Sequence, residues 1–243
     1  LGRFLSIDPL AENYYSVSPY AFCSNNPVNF VDPDGMDIWN VYENGGIEWI
    51  KQSKRDIVRT IDANGDIINR KSFKKSDLLK GTIGIGDKSY DYFTVSDARI
   101  AKKLFEFIAT PSSWGKNNNT KDKQSIVESS VIYTSIGSAV LIGEKGATPT
   151  TTLSLEYINK GAVFTRIDHV HPNNEPVPSG TGDKTADIAV IYYLEKHGIQ
   201  FSTPEWDRYH IFTPIDKQYH AYDYYTTDTI QPVVFSVKRN KRR

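Results

Sequence analysis

The residues best suited to chemistry are His169 and His171 in the run His169-Val170-His171-Pro172, with Ser179 and then Ala186-Asp187-Ile188-Ala189 downstream. Neutral imidazoles and a carboxylate suit Zn²⁺, which takes about four ligands and, when catalytic, keeps one position for water. An isolated H-x-H is more often a surface pair. The ordered run of H-x-H-P, Ser and a helix-opening Asp points instead to a metal site built from His169, His171 and Asp187.

Such a site needs elements that aim the ligands. Residues i and i+2 of a strand point to one face, so both imidazoles can reach one ion from the end of the apolar run 162–167. Pro172 has no N–H to continue a ladder, and Asn173, Asn174, Pro176 and Pro178 extend a loop across the site. Residues 185–197 read as a helix, with Thr185 as N-cap, Ile188, Ile191 and Leu194 along one stripe, and Gly198 as the stop. Asp187 falls in its first turn, where the helix dipole favours the ionised carboxylate that a metal ligand must be. Asp183 is the alternative third ligand. It follows Gly180-Thr181-Gly182, a flexible stretch that costs roughly 1 to 2 kcal/mol per residue to order.

An acid that works beside such a site has one upstream candidate. Residues 125–135 are β-branched and bounded by polar residues, and read as a strand followed by a second apolar run at 139–142. Glu128 is the only acid in the first strand, and a carboxylate there is costly to bury unless it is paired or serves a site. His197, His210 and His220 lack comparable context. They read as a helix-end residue and two members of a Tyr-rich strand pair.

The run HVHPNNEPVPS followed by ADIA resembles the signature of the JAMM (JAB-like) metalloproteases, and its RadC branch in particular. The resemblance implies that His169, His171 and Asp187 hold Zn²⁺, that Ser179 stabilises an oxyanion, and that an upstream Glu acts on the attacking water. Val127-Glu128 is similar to the V-E pair of JAB-like toxin domains. One departure concerns the spacing: residues 180–186 separate Ser179 from Asp187 where the family usually has two residues, which keeps Asp183 open as the third ligand.

The chain ends carry a different message. The chain starts without methionine, and residues 1–36 differ in character from the rest, which leads to the expectation of a fragment. LGRFLSIDPLAENYYSVSPYAFCSNNPVNFVDPDGM resembles the closing segment of Rhs/YD-repeat proteins, large bacterial shells with variable C-terminal toxins. Pro27, Asp32, Pro33 and Gly35 match the family's P-x4-D-P-x-G junction, with Met36 where Leu is common. At that junction the shell releases its cargo. Asn25-Asn26-Pro27 and Asp32-Pro33-Asp34-Gly35 are turn chemistry in their own right.

Composition bounds the remaining classes. At 243 residues one or two domains are expected, and 29 basic against 29 acidic residues argue against a general nucleic-acid-binding surface. Lys238, Arg239, Lys241, Arg242 and Arg243 form a basic tail, most simply a solvated one. No apolar run approaches the ~20 residues of a spanning helix, and no signal-peptide pattern is read at the start. A single cysteine, Cys23, excludes an internal disulfide and a Cys-based zinc site.

Between the landmarks, residues 37–42, 46–51, 57–62 and 90–95 read as strands, with a hairpin turn at 63–66. Ser96 is expected to cap a helix over 97–109 that buries Ile100, Leu104 and Ile108, and residues 111–120 read as a loop. Closing strands follow at 209–213 and 219–225.

The expected organisation is an Rhs-like segment at 1–36, a strand-rich segment at 37–95, and a domain at 96–243 that ends in the basic tail. The expected class is α/β (α+β). The resemblance implies a mixed sheet with flanking helices of the JAMM and cytidine-deaminase type. It also implies a zinc-dependent peptide or isopeptide hydrolase acting on a protein or ubiquitin-like substrate. The Rhs setting implies a toxin exported behind its shell, acting in the cytoplasm of a target cell, with an immunity protein as a further partner. The rival readings are a metal-dependent nuclease toxin and a catalytically inactive JAMM-fold binding module.

Overall fold

The computed structural model describes residues 36–73, 77–115, 127–143, 149–172, 174–179 and 187–223. The Rhs-like segment at 1–35, Asp183, the Thr185 cap and the basic tail lie outside them. The described chain is mixed α+β, with two sheets and three α-helices. Among the described residues no helix is long and apolar enough to cross a membrane.

The smaller sheet is built from β1 (Met36–Tyr42), β2 (Ile47–Ser53), β3 (Asp56–Ile61) and β4 (Ile67–Phe73), in the order β2-β1-β3-β4. β1 and β3 run parallel, and the 62–66 turn joins β3 to β4 as a hairpin. The turn between β1 and β2 places Gly45 at φ +86°, where a Cβ would stand 2.7 Å from the Gly143 carbonyl oxygen. Only glycine fits that approach without strain.

The larger sheet has the order β11-β10-β9-β7-β8-β6-β5. Its strands are β5 (Leu79–Ile85), β6 (Lys88–Val95), β7 (Ser129–Thr134), β8 (Gly137–Ile142), β9 (Phe164–Val170), β10 (Tyr209–Thr213) and β11 (Gln218–Tyr222). β9 and β10 are parallel, and the other neighbours are antiparallel. The break between the sheets thus falls between Phe73 and Leu79 rather than at residue 95, because β5 and β6 pair with each other and β6 pairs with β8.

Helix α1 (Ala98–Ala109) covers one face of the larger sheet. Its Ala101, Leu104, Phe105 and Ile108 recur at helical spacing and are fully buried with Val131, Val140 and Phe212, and with Trp39 and Val58 of the smaller sheet. The cap is Asp97, not Ser96: its side chain accepts the Arg99 N–H at 2.8 Å, and the shorter helix leaves Ser96 outside. Residues Pro111–Trp114, expected as loop, make a short 3-10 turn, and Trp114 donates its indole N–H to the Ile108 carbonyl at 2.7 Å.

The opposite face carries α2 (Thr150–Asn159) and α3 (Asp187–Lys196). Leu153 and Tyr157 of α2 and Ile191 and Leu194 of α3 pack on Ile132, Leu141, Ile167 and Ile211. β7 is covered on both sides, which explains why its residues from Ser129 to Tyr133 are all buried. α3 lies between the parallel β9 and β10, the crossover such a pair requires.

Candidate metal centre

Alternation along β9 sorts its side chains by face. Arg166, Asp168 and Val170 turn toward α1, and Val170 joins that core. Ile167 joins the opposite core, and His169 shares its side of the strand. β9 ends at Val170, so His171 is the first residue beyond it; its N–H still donates to the Phe212 carbonyl at 3.0 Å, which extends the β10 pairing by one step.

The two imidazoles meet Asp187, the first residue of α3. His169 Nε2 lies 3.0 Å from His171 Nε2 and 3.0 Å from Asp187 Oδ1, and His171 Nε2 lies 3.1 Å from Asp187 Oδ2. Donors bound at 2.0–2.1 Å to one tetrahedral ion stand about 3.3 Å apart, so these side chains fit one small cation with little movement. Among the described residues they form the one group of three or more His, Cys, Asp or Glu side chains close enough to share an ion. The side chains are about nine-tenths buried: 10 %, 9 % and 14 % exposed for His169, His171 and Asp187.

The rear of each candidate ligand is engaged too. His171 Nδ1 is 3.0 Å from the Glu175 carbonyl oxygen, an acceptor only, so that nitrogen carries the proton and Nε2 presents a lone pair. His169 Nδ1 is 3.4 Å from the Tyr222 hydroxyl. Ser179 donates to Asp187 Oδ2 through its backbone N–H at 2.6 Å and its hydroxyl at 2.9 Å. Outer contacts of this kind orient metal ligands.

The electrostatics follow from crowding acceptors in a dry place. Burial pushes the Asp187 carboxyl toward its neutral form, but the adjacent His169 and His171 outweigh this and hold it well below the usual carboxylate range. Burial likewise disfavours charge on His169, and Asp187 outweighs it, leaving His169 with a raised affinity for a proton. An imidazole lone pair beside a carboxylate calls for positive charge between them.

Glu128 stands at the same edge. β7 begins at Ser129, so Glu128 precedes the strand instead of interrupting it. Its carbonyl accepts the Gly143 N–H at 2.8 Å, which carries the β7–β8 ladder one pair further. Ser130 pairs with His169, and two steps back along the antiparallel register Glu128 comes opposite His171. That parity puts its side chain on the face of the two imidazoles. Burial raises the Glu128 carboxyl above its ordinary value, an effect countered by nearby His169 and His171 and reinforced by Asp187.

The structure therefore gathers His169, His171 and Asp187, with Ser179 and Glu128 beside them, while Asp183 lies outside the described residues. His197 follows α3 with its ring against Tyr193 at 4.1 Å, and His210 sits on β10 facing α1. His220, on β11, shares the metal-site face, and its Nε2 is 3.0 Å from Thr213 Oγ1. Sequence reading missed the Glu175 carbonyl and Tyr222. A backbone acceptor leaves no residue-type signal, and Tyr222 reaches the site from far along the chain. The chain matches no family model, no curated protein and no solved structure.

Proposed function

We propose that this chain is a zinc-dependent peptide or isopeptide hydrolase of JAMM type. The observation that carries the reading is the convergence of His169 Nε2, His171 Nε2 and the Asp187 carboxylate within 3.0–3.1 Å, each held by a further contact. The mixed sheet with helices on both faces and the ligands at one strand end supports the same layout. The cargo of an Rhs-type toxin, delivered into a target cell against a protein or ubiquitin-like substrate, is the setting proposed from residues 1–36.

His169, His171 and Asp187 would hold the ion. Bound zinc supplies a Lewis acid that polarises the scissile carbonyl and makes water acidic enough to attack near neutral pH. Glu128 accepts the proton of the attacking water and passes it to the leaving amine, a role suited to a partly buried carboxyl raised above its ordinary value. Ser179 has two donors, and its backbone N–H alone can keep Asp187 in place. Its hydroxyl is then free to turn to the developing oxyanion, a contribution on the order of 3 kcal/mol.

The test compares zinc-replete and chelated protein on isopeptide-linked and nucleic-acid substrates. Cleavage of the isopeptide panel that needs zinc and is abolished by Glu128→Gln, with zinc still bound, is the expected result. Zinc-dependent cleavage of nucleic acid instead would make the chain a nuclease, and zinc binding without any turnover would make it a binding module.

A further inference from the structure

The metal site contains two imidazoles that look equivalent in sequence and differ in their rear contacts. His171 Nδ1 faces a carbonyl, which can only accept, so its tautomer is fixed. His169 Nδ1 faces a phenol, which can both accept and donate, at a long hydrogen-bond distance of 3.4 Å. A second contact holds the pair together: the rings of His169 and Tyr222 meet edge to face, with centroids 5.7 Å apart and planes at 85°. Tyr222 is 4 % exposed, so water has little access to replace its hydroxyl.

A metal ion needs the Nε2 lone pair, so the imidazole hydrogen must sit on Nδ1, where the Tyr222 oxygen can accept it.

We infer that Tyr222 is a positioning residue for the metal ligand His169, accepting its Nδ1–H so that Nε2 is left as the lone pair that faces the ion. This rests on the metal reading of the site. It does not depend on the reaction catalysed.

The experiment uses the full chain and zinc alone. Tyr222→Phe keeps the ring and removes the oxygen. Tyr209→Phe is the matched control: Tyr209 is 2 % exposed, its ring centroid lies 5.9 Å from that of Tyr222, and its hydroxyl has no partner among the described residues. Zinc affinity, measured by competition with a chelating dye, is expected to fall about ten-fold in Tyr222→Phe and to stay unchanged in Tyr209→Phe. The visible bands of the Co²⁺-substituted protein are expected to shift only in the first. Nitrogen NMR of the wild-type zinc form provides a reading without any variant, and is expected to show His169 bound through Nε2 with a protonated, slowly exchanging Nδ1.

Equal zinc affinity in wild type and Tyr222→Phe overturns the inference and leaves the metal reading standing. Equal weakening by both variants overturns it as well, since packing alone would then explain the loss. Coordination of His169 through Nδ1 does the same. A wild-type chain that takes up no zinc overturns both the inference and the metal reading.

Discussion

Asp187 carries an unusual share of the site, because one carboxylate faces both imidazoles while Oδ2 also accepts two hydrogen bonds from Ser179. Asp187→Asn keeps its size but removes the charge, and is expected to weaken zinc binding by at least about 100-fold. Ser179→Ala retains the backbone donor and should cost at most about ten-fold. Zinc content after dialysis against a graded chelator measures both, and equal losses would show that the charge of Asp187 counts for no more than the Ser179 hydroxyl. The three clustered side chains were legible in the sequence because H-x-H states its own strand geometry and Asp187 opens an apolar-striped helix. Glu128 was legible only as the lone acid of its segment. Its true place, just ahead of β7 and across from His171, depends on a pairing register that no local pattern encodes.

Two of the elements that escaped the sequence reading share a physical cause. β5 contains Gly81 and Gly84, poor strand formers, and α2 opens with Thr150, Thr151 and Thr152, poor helix formers without a side-chain cap. Tertiary packing decides both. A Cβ on Gly81 would fall 2.2 Å from Tyr92 Cζ, so the glycine leaves room for a ring on the neighbouring strand, while α2 is held by Leu153 and Tyr157 beneath the larger sheet. The β1–β2 turn shows the same dependence, since Gly45 abuts Gly143, whose N–H supports the Glu128 backbone. Gly45→Ala should destabilise the protein by about 1–3 kcal/mol more than Gly65→Ala. Gly65 has a similar φ of +89° but open space around it, so the difference in urea midpoints isolates the contact from the backbone strain. Identical midpoints would mean that the smaller sheet yields there without loss.

Across the whole molecule, the larger sheet separates two sets of ionisable groups. On the α1 face Asp168 is fully buried with Arg166, whose Nη2 donates to Asp168 Oδ2 at 2.9 Å; His210 lies 3.5 Å from Asp168 and 3.2 Å from Asp207. Burial lowers the His210 value to about 4; Asp168 and Asp207 oppose this, while Arg166 and Lys102 add to it. Unfolded His210 takes up a proton near its ordinary value of about 6.5, whereas the folded protein does not until about pH 4. Its contribution to stability is therefore full above pH 6.5 and falls between 6.5 and 4, by up to about 3 kcal/mol. Urea melts of the chelated protein at pH 7.5 and 5 should show this loss, and His210→Gln should reduce it. Parallel behaviour of the two proteins would assign the acid sensitivity to other groups.

The two-faced character of β9 has a consequence for how this chain can change length. Adding or deleting one residue within Phe164–Val170 would not simply lengthen or shorten a strand. It would exchange the faces beyond that point, sending His169 toward α1 and bringing the neighbouring carboxylate, Asp168, toward α2 and α3. The core of β9 is thus closed to insertions and deletions even where volume would permit them. Length variation is left to the connections on either side, including the span between Ser179 and Asp187.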